Sequence, residues 1–180
     1  MKKATIAIII IIIAIITLAL IKINKTSTDT SDNKVIYNSY DEVFSLEANP
    51  EWQNVTQGEL NKLANLEIVD YNKNKFFMAI MDKKEDFALT YDEYKNYMLK
   101  DIEKTYEVSI EEQKEIEVSD KKFTYVEFKS SANTSVNLYM HVYITETNNY
   151  YGRLFAWTNY SQRDNYKDEF NEMVKSFKEK

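Results

Sequence analysis

His141 is the single histidine of a 180-residue chain that has no cysteine. Those two counts bound the chemistry. Zinc sites, structural or catalytic, draw several ligands from His and Cys, so no metal ligand is assigned. A serine hydrolase carries its nucleophile on a G-x-S-x-G turn, and neither glycine of the chain, Gly58 or Gly152, lies in one. Two glycines also rule out a Gly-rich phosphate loop. The acidic residues Glu85-Asp86, Glu111-Glu112 and Asp164 with Asp168 lack the ligand order of a calcium loop and read as solvated surface. No catalytic residue and no cofactor-binding residue emerge, and an enzyme is not expected.

What remains is aromatic: 14 Tyr, 9 Phe and 2 Trp. Along residues 136–146 a two-residue period turns Val136, Leu138, Met140, Val142 and Ile144 one way. It turns Asn137, Tyr139, His141, Tyr143 and Thr145 the other way. Tyr125 on the strand before and Tyr151 on the strand after extend the second set into a tyrosine-rich face of Tyr125, Tyr139, Tyr143 and Tyr151. Aromatic faces bind partners; they also pack beneath a helical layer and stabilise sheets through cross-strand pairs. Both uses stay open. His141 itself reads as a half-buried sheet residue.

The elements that must position these residues are legible. Val43–Leu46 predicts a short strand ended by a turn at Asn49-Pro50-Glu51-Trp52, with Trp52 plugging one end of the core. Residues 57–65 read as a short helix or a loop. Leu66–Tyr71 and Lys75–Met81 flank Asn72-Lys73-Asn74 as a hairpin, and the run from Phe76 to Met81, apolar on both faces, predicts an interior strand. Thr90-Tyr91-Asp92-Glu93 is a capping box; Tyr91, Tyr94, Met98 and Ile102 then share one helical face out to Lys104 or Tyr106. Four strands follow at about 112–118, 123–130, 136–146 and 150–159, joined by turns too short for crossovers, hence an antiparallel meander. A last helix from Ser161 or Gln162 carries the stripe Tyr166, Phe170, Met173, Val174 and Phe177. The order predicts an α+β domain, one antiparallel sheet of about six to seven strands between helices.

Ahead of that domain lies Ala4–Ile21, eighteen uncharged residues of which ten are Ile, preceded by Lys2 and Lys3. As a helix it spans about 27 Å, close to the hydrocarbon thickness of a bilayer. A single transmembrane helix is expected there, with a cleaved signal peptide as the other reading; the apolar run continues to Ile23, past the weak cleavage site at Thr17-Leu18-Ala19. A short positive start before an apolar run is an export pattern, which puts the bulk of the chain outside the cytoplasm at the cell membrane. The tract from Asn24 to Lys34 reads as a polar linker. Residues 35–180 are long enough for one core and are expected to form a soluble monomer when freed from the anchor. They hold 27 acidic against 18 basic residues, a balance that excludes a nucleic-acid footprint.

Phe44-Ser45-Leu46 followed by Asn49-Pro50-Glu51-Trp52 resembles the strand-Pro-Trp opening of the PsbP-like superfamily, with Glu51 where that family usually has Gly. The capped mid-chain helix, the meander and the closing Phe170…Met173-Val174-Lys175-Ser176-Phe177 are similar to it too. The resemblance covers nearly all of residues 35–180 and implies an antiparallel sheet between helical layers. It also implies a binding or assembly role. The anchor, the acidic surface and the missing catalytic sets point to another envelope protein as partner; the alternative is a small-ligand or metal-ion sensing domain.

Overall fold

The computed structural model describes residues 33–110, 113–118, 121–130 and 137–180. The span expected at Ala4–Ile21 and nearly all of the linker lie outside the described residues. Among the described residues no helix is long and apolar enough to cross a membrane.

Two sheets form where one was expected. β1 (Val35–Asn38) and β2 (Phe44–Ala48) pair antiparallel, and β10 (Lys178–Glu179) joins the other side of β2. The seven-stranded antiparallel sheet has the order β3-β4-β5-β9-β8-β7-β6. Its strands are β3 (Gln53–Asn54), β4 (Leu66–Asp70), β5 (Lys75–Lys83), β6 (Gln113–Val118), β7 (Lys121–Ser130), β8 (Leu138–Glu146) and β9 (Tyr150–Asn159). The β4–β5 hairpin, the interior place of β5 and the β6–β9 meander follow the sequence pattern. The Val43–Leu46 strand does not join the large sheet. Its partners come from residues 35–38 and 178–179, and no local signal specifies so distant a pairing.

α1 (Tyr91–Tyr106) and α2 (Lys167–Ser176) cover opposite faces of the large sheet. Tyr94, Met98 and Ile102 of α1 pack on Met78, Ile80, Val142, Ile144 and Phe155. On the other face Phe170, Met173 and Val174 of α2 close over Phe77, Ala79, Tyr143, Leu154 and Ala156, with Phe44 and Leu46 of the small sheet beside them. The alternation along β5, β8 and β9 divides the core in two because both faces are buried.

α1 begins as its capping box dictates: Thr90 Oγ1 accepts from the Glu93 amide at 3.3 Å and Glu93 Oε2 accepts from the Thr90 amide at 2.8 Å. Thr90→Ala should cost about 1 kcal/mol, read as a lower urea midpoint with an unchanged m-value. α2 starts later than its stripe suggested. Residues 160–162 form a 3-10 turn, and the Arg163 and Asn165 amides bond back to Tyr160 and Gln162. Asp164 therefore precedes the helix instead of lying in its first turn. Lys178 lies beyond the helix, in β10.

Residues 57–65 form a loop wrapped around one carboxylate. Glu67, 1% exposed, accepts the backbone amides of Gly58 (2.6 Å), Leu60 (2.8 Å) and Asn61 (2.6 Å) and the Tyr40 hydroxyl (3.0 Å). Gly58 has φ +81°, a conformation costly for any residue with a Cβ.

Candidate functional site

Register decides what happens to the four tyrosines. β7 and β8 pair Tyr125 with Tyr143, Glu127 with His141 and Lys129 with Tyr139. β8 and β9 pair Tyr139 with Thr158 and His141 with Ala156. All of these point toward α2. Tyr125 (4% exposed) and Tyr143 (0%) are sealed beneath it, and Tyr143 donates to Asn171 Oδ1 at 2.8 Å. Tyr151 points the opposite way, under α1, stacked 4.6 Å from Tyr94 and donating to the Leu89 carbonyl. Only Tyr139 of the four is left half-exposed. The aromatic set is therefore not one open face: three members are core, on two sides of the sheet.

Around Tyr125 the structure assembles a polar network inside that core. The Tyr125 hydroxyl donates to Glu127 Oε2 at 2.5 Å and lies 2.7 Å from His141 Nδ1. Since the phenol proton goes to Glu127, Nδ1 is the ring nitrogen that carries hydrogen, and Nε2 is bare. Nε2 is buried without a hydrogen-bond partner. His141 is fully buried, not half-buried as the strand pattern implied, because α2 lays Phe170 over it with ring centroids 5.4 Å apart. Burial holds its pKa down at about 4, against the pull of Glu127, so the ring is neutral at pH 7. Burial pushes Glu127 up, but hydrogen bonds from Tyr125 and Lys167 outweigh this and hold it below the usual carboxylate value. Burial and the bond to Glu127 push the Tyr125 phenol up. The network is a neutral imidazole and a protonated phenol anchored to one carboxylate.

A second buried polar group lies on the same face, across the sheet. Lys75, 1% exposed, bonds both Glu169 oxygens at 2.7 Å and lies 3.3 Å from Asp70 Oδ2. Its ammonium stands 4.9 Å from the Trp52 ring and 5.0 Å from the Tyr166 ring. Trp52 is core, as its position after Pro50 suggested, and its indole nitrogen donates to Glu169 at 2.9 Å. Lys75 opens an apolar run in the sequence and carried no signal; its partner Glu169 is 94 residues away.

At the surface these networks end in a patch that sequence reasoning missed. Tyr139 meets Tyr160 edge-on at 5.9 Å. Lys129 Nζ stands 4.9 Å and the Arg163 guanidinium 4.7 Å from the Tyr160 ring. Lys167, bonded to Glu127 at 3.0 Å, lies 5.2 Å from the Tyr125 ring. Two tyrosines and three cations thus converge on a domain whose overall charge is negative. Tyr160 and Arg163 join because the 3-10 turn after β9 folds them back over Tyr139. Among the described residues no cluster of three or more His, Asp or Glu side chains is arranged to hold a metal.

No protein-family profile matches the chain, and no curated protein sequence matches it. Solved structures do match. Cyanobacterial PsbP (CyanoP) from Synechocystis sp. PCC 6803 aligns with a TM-score of 0.55 at 11% identity, covering 87% of this chain and 98% of that one. The Ran-binding protein Mog1p of Saccharomyces cerevisiae aligns with a TM-score of 0.56 at 11% identity, covering 82% and 96%. LpqN, involved in cell envelope biogenesis of Mycobacterium tuberculosis, aligns with a TM-score of 0.52 at 11% identity, covering 81% and 89%. A Bacteroides thetaiotaomicron protein aligns with a TM-score of 0.57 at 12% identity over 84% of this chain, which spans about half (49%) of that protein. Identities this low carry the architecture and nothing finer, and the architecture is the fold shared by PsbP, Mog1p and LpqN.

Proposed function

We propose that this chain is a membrane-tethered, extracytoplasmic protein-interaction module without catalytic activity, docking through Tyr139, Tyr160, Lys129, Arg163 and Lys167. The single observation behind this reading is the patch itself. Aromatic rings flanked by Arg are the side chains most enriched at binding hot spots. Lys129, which has no ion pair to a described residue, and Arg163, whose pair with Asp164 is a long 3.5 Å at the surface, suit a partner that presents carboxylates, by electrostatic complementarity, with Lys167 already held by Glu127 at their side. The Ran-binding activity of Mog1p and the envelope role of LpqN, both on this fold, are compatible with such a module. The uncharged run at Ala4–Ile21 supplies the tether, and the partner is then another envelope protein.

A photo-crosslinking residue at position 160 in intact cells tests this. Expected is one reproducible partner, lost when Lys129 and Arg163 are changed to Glu, and not recovered from a crosslinker at Tyr97, which is 58% exposed on α1. Recovery of bulk membrane proteins only, or equal recovery from the Glu variant, refutes the patch. Protease added to spheroplasts should digest the domain; protection there would refute the extracytoplasmic placement.

A further inference from the structure

At the other end of the α2-covered face a cleft of about 570 Å³ opens between the start of β7, the end of β8 and the segment that leaves α2. Its charges are unevenly matched. Lys84 is bonded to Glu146 at 2.7 Å, and Glu179 accepts from the Asn149 amide at 2.7 Å. Among the described residues the Lys121 ammonium has the Phe177 carbonyl as its one hydrogen-bond partner. Among the described residues neither Lys121 nor Lys178 has a carboxylate within ion-pairing distance. The Asn148 side-chain amide, also on the wall, makes no hydrogen bond to a described residue. Phe123 and Phe177 back the cleft with apolar surface.

Lys121 and Lys178 share this cleft with no ion pair to a described residue, although Glu146 and Glu179 also line it, and on a domain with nine more acidic than basic residues that calls for a reason. Lysines on such a surface ordinarily find carboxylates. Burial, and then the neighbouring Lys178, hold the Lys121 pKa below its ordinary value, the direction expected of a cation facing another cation. An anion seated between the two would relieve both effects. The volume lies within the range of small-molecule sites. Apolar walls with a few convergent donors favour an organic molecule over a bare ion.

We propose that this cleft is a binding site for a small organic oxyanion, its phosphate or carboxylate held by Lys121, Lys178 and the Asn148 amide and its carbon frame against Phe123 and Phe177. The site is independent of the Tyr139–Tyr160 patch, which lies toward the opposite ends of β7 and β8. The oxyanion has two sources, a free metabolite or the headgroup of an anionic lipid.

Calorimetric titration of the full-length chain in non-ionic detergent, at fixed ionic strength, tests the proposal with glycerol 3-phosphate and succinate as probes. Expected is saturable one-to-one binding with a Kd below about 1 mM for at least one of them. Changing Lys121 and Lys178 together to Gln should weaken it by about tenfold or more. Lys178→Gln alone, at an exposed side chain, should weaken it several-fold without touching the fold, whereas exposed Lys122→Gln, outside the cleft, should change nothing. Competition of glycerol 3-phosphate by phosphatidylglycerol vesicles, and not by phosphatidylcholine, assigns the lipid source; absence of competition assigns the free one. No saturation by either probe, or the same Kd in the Lys178→Gln and double variants, overturns the proposal.

Discussion

Lys75→Met should destabilise the folded domain by about 3–5 kcal/mol, the loss typical when one partner of a buried ion pair is removed. The reason lies in what the ammonium leaves behind. Asp70 is fully buried, and its Oδ2 has no hydrogen-bond partner; its compensation is the Lys75 charge 3.3 Å away. Glu169 holds Lys75, the Trp52 indole and the Asn49 amide at once. Removing the cation strands two carboxylates against an aromatic wall and loosens Trp52 and Tyr166, whose rings it faces. Adding Asp70→Asn to Lys75→Met should recover a measurable part of the loss, because a neutral amide needs no counter-charge. Urea unfolding of residues 33–180 reads both effects. A loss below about 1 kcal/mol, within the ordinary scatter of single substitutions, would show that the charge is not what holds the two layers together here.

The stability of the domain should fall on acidification through the titration of His141, and His141→Gln should remove that part of the fall. The folded ring has its pKa near 4, while in the unfolded chain it takes its ordinary value near 6.5. Above pH 6.5 both states hold a neutral ring and its contribution is complete. Between 6.5 and 4 the unfolded chain binds a proton that the folded chain does not, so stability declines with falling pH; below 4 both states are protonated and the decline from this residue ends. The full span is about 3 kcal/mol. Glu127 is held below its ordinary value by Tyr125 and Lys167 and keeps its own titration in the His141→Gln variant, so the comparison of the two proteins isolates the ring. The stability difference between wild type and His141→Gln should therefore shrink steadily from pH 7 to pH 4. Parallel pH profiles for the two proteins would mean that the imidazole is hydrated or already charged in the fold.

Part of this architecture was written locally. Thr90 and Glu93 cap α1 because the two groups that satisfy the first free amides are three residues apart, a distance that no tertiary contact alters. The alternation from Leu138 to Glu146 sorted Met140, Val142 and Ile144 from Tyr139, His141 and Tyr143 correctly, since a strand has a period of two in any register. Phe76 to Met81 announced an interior strand, and Tyr166, Phe170, Met173, Val174 and Phe177 announced a helix docked by one stripe. Each of these signals is a property of neighbouring residues.

The site was not legible in the same way. Tyr151 was grouped with Tyr125, Tyr139 and Tyr143, yet the turn at residues 147–149 pairs it with Glu146 and so turns it to the α1 face. One step of register moves a side chain through the sheet, and sequence alone does not set that step. His141 passed for half-buried because nothing near it announces that Phe170 will cover it. The tyrosine patch, the Lys75–Glu169 bond and the Lys121–Lys178 cleft each join residues dozens of positions apart.

Sequence by itself determined the α+β class, the capped helix, the meander, the acidic balance and the want of cysteine and of a second histidine, because composition and short-range spacing act before the chain folds. Tertiary structure alone decided which tyrosines are core, where Lys129 and Arg163 meet the Tyr160 ring and where Lys121 and Lys178 share a cleft without an ion pair to a described residue. Those outcomes depend on register, on the pairing of β10 with β2 and on the seat of α2. Such long-range contacts repay the entropy of loop closure only after the elements exist, so they belong to the assembled domain and to no segment of it.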